Sequence, residues 1–331
     1  MAERRQRQEW IDLLRGVAVV GMVWTHSFNT FLAVELQETS TYREMSFYHG
    51  LVAPIFFWVA GLMRGLSAAR PGPSKPAWPT VRRLVTIWLV GCFMHMPWAA
   101  VMSARMDAAA WATLFQCDVL NCLALSCLLL LGIEQMMRAN KAKAWLVVAM
   151  VGFAFVGLTD QAAGLKTGLI PVDALLSRKT GSQFPMFPWF GFAAAGFVMG
   201  HVGTPGWKAA LLAAVVAFGV PWIPGETGTV GFFFERLGWV VMIAAVAARL
   251  NPHIAWMPRW LMLAGRESLW LYVVHLMLIH AVPLWRGQSL EHLIGRTQPV
   301  WRVLVIFALV LTASLLVAWW NERRKLRQIN D

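Results

Sequence analysis

Charge is what this chain has least of. Only 14% of its 331 residues are charged, against about a quarter in an ordinary soluble domain, while 58% are hydrophobic and the mean hydropathy is +0.55. The apolar residues come in runs of roughly 20, separated by short polar stretches, the length needed to cross a bilayer. A soluble enzyme, a disordered chain and a collagen-like chain are excluded. Cysteine is also scarce. Cys92, Cys117, Cys122 and Cys127 all lie in apolar runs, with no C-x-x-C pair and no C-x-x-C-H, so neither a disulfide framework nor a c-type haem follows. The sequence contains no P-loop, no G-x-S-x-G elbow, no H-E-x-x-H and no dinucleotide fingerprint after a strand. Its histidines show no metal-ligand spacing, and no metal is expected.

Acidic residues are outnumbered by basic ones, 17 against 29, for a net charge of +12. In a soluble protein that excess would point to nucleic acid. In a membrane protein it is what non-translocated loops carry, and the location of the charges decides. Ten apolar spans are expected near 11–33, 47–69, 81–102, 113–136, 144–160, 184–204, 207–224, 230–249, 260–284 and 300–320, with room for an interfacial helix in 161–183. With both termini cytoplasmic, nineteen of the basic residues fall on the inner side. They include Arg4, Arg5, Arg7, Lys75, Arg82, Arg83 and the run Arg323, Arg324, Lys325 and Arg327. Nine fall outside, among them Arg286. The positive charge therefore reports topology, and no nucleic-acid partner is expected. The fold expected is an all-α, polytopic helical bundle forming one transmembrane domain over 1–331. Pro71, Pro73, Pro76 and Pro79 mark its longest cytoplasmic linker. Arg residues precede the first apolar run without a small-x-small cleavage site after it, so that run is expected to stay as a helix. The 19 Trp, with residues such as Trp10, Trp98, Trp207 and Trp285 near span ends, read as an interfacial belt.

An ionisable side chain inside a bilayer costs about 2.5–3.5 kcal/mol on insertion scales, so each is a functional candidate. The first span has three: Asp12, Arg15 and His26. Asp12 and Arg15 are spaced to pair on one helix face. Arg15 and His26 are eleven residues apart, within about 20° of the same face and separated by about 16 Å along the axis. A permanent cation suits a phosphate-bearing ligand, and a half-desolvated imidazole suits proton transfer. The competing reading is a snorkelling Arg15 paired with Asp12 and a His26 bonded to a neighbouring helix. His49 opens the second span on the same outer side as His26, where it is either a second site histidine or an interfacial one. Asp118 and Asn121, three apart in the fourth span, hold either a substrate or a bound water. Ser268, Tyr272 and His275 form a polar stripe at i, i+4 and i+7 in the ninth span, just after Arg266 and Glu267, and point to a polar cavity or an interhelical seam. His95, His201, His253, His280 and His292 read as structural, and Gly191 to Gly200 as a small-residue packing surface.

Four segments carry a family resemblance. Trp10-Ile11-Asp12-Leu13-Leu14-Arg15-Gly16 followed by His26, the stretch His49 to Gly61, and Phe184-Pro185-Met186-Phe187-Pro188-Trp189-Phe190-Gly191 resemble the bacterial relatives of heparan-α-glucosaminide N-acetyltransferase. Ser268-Leu269-Trp270-Leu271-Tyr272-Val273-Val274-His275 is similar to the late motif of the wider transmembrane acyltransferase superfamily, and the Arg15 to His26 spacing matches the arginine, ten residues, histidine pattern of acyltransferase-3 enzymes. The resemblance covers about residues 8–283. It implies a bacterial inner-membrane enzyme that moves an acyl group, usually acetyl, from cytosolic acyl-CoA to a hydroxyl or amine of a glycan on the far side. On that reading Arg15 lies near the CoA, Asp12 orients it, and His26 is the general base or a transient acyl carrier. In the heparan branch the position matching His26 is an asparagine and the histidine comes later, so His49 is the alternative base; the spacing from Arg15 favours His26. A transporter or flippase using the same groups as a proton or substrate path is the competing function. Neither an inverted repeat nor paired broken helices are visible to support it. A subunit holding a pigment or haem through His26 and His49 is a third possibility.

Overall fold

The computed structural model describes residues 9–70, 76–203, 205–222, 228–281 and 289–330. Arg4, Arg5, Arg7, Pro71, Pro73, Lys75, Trp285 and Arg286 lie outside them. The chain is all-helical, and among the described residues the only β pairing is a single parallel bridge between Leu32 and Gln298. The longer helices are α1 (Glu9–Phe31), α2 (Ser40–His49), α3 (Val52–Ala68), α4 (Trp78–Met94), α5 (Val119–Met136), α6 (Ala144–Gly157), α7 (Met186–Val202), α8 (Trp207–Gly219), α9 (Thr229–Arg249), α10 (Arg259–Arg266), α11 (Ser268–Leu276) and α12 (Val300–Asn330). They form two compact units, Met1–Ile55 with Ile243–Asp331, and Phe56–Met242.

Among the described residues, five stretches are long and apolar enough to cross a membrane: Ser40–Ala68, Val119–Met136, Arg138–Gly157, Thr229–Arg249 and Val300–Gln328. Met186–Val202 and Trp207–Trp222 are apolar but shorter. Helix α1 has the length, yet carries Glu9, Asp12 and Arg15 in its first two turns.

The ninth expected span, 260–284, is not one straight helix. Arg259–Arg266 and Ser268–Ala281 are bent by 85° about Glu267, whose φ of −107° and ψ of 28° leave the helical region. The polar pair at the bend finds its partners at the polar end of α12. Arg266 Nε donates to Glu322 Oε1 at 2.7 Å, while the buried Glu267 carboxylate accepts from Asn321 Nδ2 at 2.7 Å and from Lys325 Nζ at 2.7 and 2.9 Å. A straight apolar span would carry these groups away from the one stretch of α12 able to satisfy them. Helix α12 itself runs past the expected 320 to Asn330, because the Glu, Arg, Lys and Gln residues that follow are good helix formers.

In the first unit, α1 packs on α10, α11 and α12. Gly16 lies against the Leu261 backbone and Gly265 against that of Asp12, so two helices meet backbone to backbone where neither has a side chain in the way. Further along α1, Val23, Phe28 and Phe31 pack with Tyr42, Ile279, Val303 and Val310. The end of α1 is tied to the start of α12 by Gln298 N donating to Phe31 O and Ala33 N to Gln298 O, each at 2.9 Å.

In the second unit, the small-residue surface expected at Gly191 to Gly200 is a packing face. Gly196 and Gly200 of α7 receive the Trp58, Leu62 and Leu66 backbone of α3, while Gly61 and Gly65 of α3 receive Ala193, Phe197 and His201 of α7. Without a hydrophobic drive between helices in lipid, such close approach is what holds them together. An Arg64–Glu134 ion pair, with Arg64 Nε at 3.1 Å from Glu134 Oε1, joins α3 to α5. The stretch 161–183 holds the short helix Ile170–Leu176, following Thr159–Gly164.

Candidate functional site

Helix α1 sets out the site along one unbroken rod. Near its start Asp12 is 3% exposed and paired with Arg15, which keeps a quarter of its side chain accessible. The Arg15 Nε is buried and bonds to no protein group. Because α1 is continuous from Glu9 to Phe31, the eleven-residue interval to His26 corresponds to about 16 Å of helix axis.

At the far end of that interval stands a group of three imidazoles. The His26 ring lies 5.2 Å from that of His275 and 5.8 Å from that of His280, centroid to centroid. His275 is wholly buried on α11. Its Nδ1 meets the Leu271 carbonyl at 2.7 Å, and because a carbonyl only accepts, Nδ1 carries the proton and Nε2 is left as a bare acceptor. That Nε2 is buried and has no protein partner. The Tyr272 ring is 5.8 Å from His275. Ser268, the first member of the expected stripe, opens α11 and is half-buried.

His280 was expected to be structural, and five residues at α-helical period would put it about 140° round from His275. The chain instead leaves α11 through a π-helical turn, Met277–Ala281, whose wider i to i+5 spacing brings both rings onto His26. His280 Nδ1 is held at 2.8 Å by Glu291 Oε2 on the short helix Leu290–Ile294. No signal in the sequence pairs these two residues, which are eleven positions apart. His292, also expected to be structural, has its Nδ1 2.8 Å from Ser289 Oγ.

His49 ends α2. The Tyr42 ring lies 6.1 Å from it, and Tyr42 bonds to Asn29, one turn beyond His26 on α1. Both ring nitrogens of His49 are buried without a hydrogen-bond partner. The rings in contact with His26 are thus those of His275 and His280, while His49 belongs with Tyr42.

Asp118 and Asn121 are in the second unit. Asp118 caps α5, its Oδ1 accepting from Asn121 N at 3.0 Å, and its Oδ2 lies 3.2 Å from His95 Nε2. Asn121 Nδ2 donates to the Trp88 carbonyl of α4 at 3.0 Å. Both therefore fasten α5 to α4. Among the described residues no group of three or more His, Cys, Asp or Glu is placed to hold a metal.

The model of one protein family, described as heparan-alpha-glucosaminide N-acetyltransferase, catalytic, matches residues 7–225. That stretch takes in Asp12, Arg15, His26, His49, Asp118 and Asn121, and stops short of Ser268, Tyr272, His275 and His280. No curated protein matches the chain.

Proposed function

The chain belongs to the heparan-alpha-glucosaminide N-acetyltransferase catalytic family, and from that premise we propose that it transfers an acetyl group from acetyl-CoA to an amine or hydroxyl of a glycan acceptor across a bacterial cytoplasmic membrane. On this reading the whole chain is one membrane domain with ten crossing segments and both termini inside. Arg15 then stands at the cytoplasmic end of α1 and His26 toward the outside.

The observation that carries the proposal is a guanidinium with a quarter of its side chain accessible and, about 16 Å along the same helix, His26 in a cluster of imidazoles. Arg15, oriented by the buried Asp12, binds a phosphate of CoA through the part of its guanidinium that stays accessible. The pantetheine arm runs along α1 and presents the thioester near His26. The acceptor N–H or O–H attacks the thioester carbonyl carbon: the new C–N or C–O bond forms, the C–S bond breaks, and CoA leaves as thiolate. His26 takes the proton of the attacking group. The bare Nε2 of His275 accepts a hydrogen bond from the acceptor and holds it in line. Asp118 and Asn121, which fasten α5 to α4, have a supporting role in this scheme.

The bent α10–α11 pair is a feature that a transporter would share. Binding of the donor separates the two functions. Thermal unfolding of the purified protein should rise with acetyl-CoA, by about 2.7 kcal/mol at a hundredfold excess over Kd, and the rise should shrink in Arg15→Ala. His26→Ala should keep the donor-dependent shift and lose about 10²–10⁴ in turnover. No stabilisation at millimolar acetyl-CoA, or full turnover in His26→Ala, would count decisively against the proposal.

A further inference from the structure

General-base catalysis leaves His26 carrying a proton it must lose before the next turnover. Of its two neighbouring rings, His275 offers no way out: it is wholly buried and its Nδ1 is committed to the Leu271 carbonyl. His280 does. Its side chain is 34% exposed and that of Glu291 47% exposed, so the order His26, His280, Glu291 leads from the buried cluster to the protein surface. The Glu291 carboxylate accepts at His280 Nδ1, which fixes the proton there and leaves Nε2 as the ring's acceptor. The two rings stand nearly perpendicular, 80° apart at 5.8 Å between centroids, a separation that a direct contact or one bridging water closes.

We propose that His280, held by Glu291, is the residue that accepts the reaction proton from His26 and discharges it to the aqueous surface. The inference rests on the acetyltransferase reading and adds to it residues that lie beyond the family-matched segment 7–225. In the step, His280 Nε2 takes the proton from His26, restoring neutral His26. The resulting imidazolium is stabilised by the Glu291 carboxylate, and its Nδ1 proton passes through Glu291 to water. The Nε2 proton then relaxes to Nδ1, and the relay is reset with no net change in either side chain. No oxidant, metal or further reactant is needed. Among the described residues, the titratable groups facing His26 are His275 on α11 and His280 on the π turn, with Glu291 reaching it through His280. Glu291 therefore acts as a positioning residue and His280 as the proton carrier.

The test uses the full chain in proteoliposomes, with acetyl-CoA as donor and methyl α-D-glucosaminide, which offers both an amine and hydroxyls, as acceptor. Release of the CoA thiol is followed. His280→Ala should lose about ten- to a hundredfold in kcat with KM for acetyl-CoA unchanged, and imidazole in the buffer should restore most of the loss, because the vacated site is open to water. His280→Asn can keep a polar contact to Glu291 but cannot take up and release a proton, and should be as slow as His280→Ala. Glu291→Gln should lose about tenfold. Wild-type turnover in His280→Asn, or folded His280→Ala that imidazole leaves unrestored, would overturn the relay while leaving the acetyltransferase reading intact. Absence of any turnover in the wild-type protein would instead overturn that reading, and the relay with it.

Discussion

Alanine in place of Gly265 tests whether the α1–α10 contact holds the proposed donor end of the site. A Cβ at Gly265 would come against the Asp12 carbonyl oxygen, 2.7 Å from the carbonyl carbon and 3.1 Å from the Asp12 Cα. All three are backbone atoms, so no side chain can rotate aside and the helices must part by about 1 Å. Overpacking of this kind costs typically 1–3 kcal/mol, and contact with rigid backbone places it at the upper end. Replacing glycine by alanine inside a helix returns about 1 kcal/mol. The net loss is about 2 kcal/mol, or a fall in Tm of about 4–8 °C. Gly132 on α5 is the control, because nothing lies within 4 Å of its added Cβ and it is exposed. There the same substitution should raise Tm by about 2–4 °C. Thermal unfolding in one detergent, followed by tryptophan fluorescence, compares the two. Acetyl-CoA should protect Gly132→Ala as fully as wild type and Gly265→Ala less, since the displaced Asp12 no longer orients Arg15. Equal shifts of the same sign in both variants would refute the close-contact argument.

How much of this was open to inspection in the sequence depends on whether a feature is set by local spacing or by distant partners. Helix α1, expected at 11–33 and found at Glu9–Phe31, follows from its apolar run, and the Asp12–Arg15 pair follows from i, i+3 geometry within it. The packing role of Gly191 to Gly200 follows from the scarcity of any other use for small residues in an apolar helix. The bend at Glu267 does not, because hydropathy weighs composition and is blind to partners 54 and 58 residues away. His280 was hidden for a geometric reason: a period of 3.6 puts it away from His275, and only the π turn brings it round. Glu291 was hidden because it meets His280 from a separate short helix. The cluster around His26 was thus half legible. His275 is on the expected helix, while the ring that leads outward depends on a local departure from helical regularity that composition does not encode.

The clamp on the bend gives a second stability prediction. Glu267→Ala should cost about 2 kcal/mol in thermal unfolding, mostly from the charged hydrogen bond to Asn321, whereas Lys325→Ala should cost less than about 1 kcal/mol because that side chain is 55% exposed; equal costs would place the clamp elsewhere. The last prediction concerns the loop between the two short helices of 161–183. Asp173 accepts from Thr167 N at 2.7 Å, Thr167 Oγ1 at 2.8 Å and Gly168 N at 3.3 Å, and these bonds to the charged carboxylate hold its pKa below the ordinary 3.8. Since the folded value is the lower one, the stabilisation is fully present above the ordinary value and is lost as pH falls through the depressed one. A carboxyl titration by NMR should therefore find Asp173 with a midpoint below 3.8. Thr167→Ala removes the hydroxyl donor but keeps the backbone ones, so the midpoint should move part of the way back. A midpoint at or above the ordinary value in the wild-type protein would mean that the loop does not close on this carboxylate.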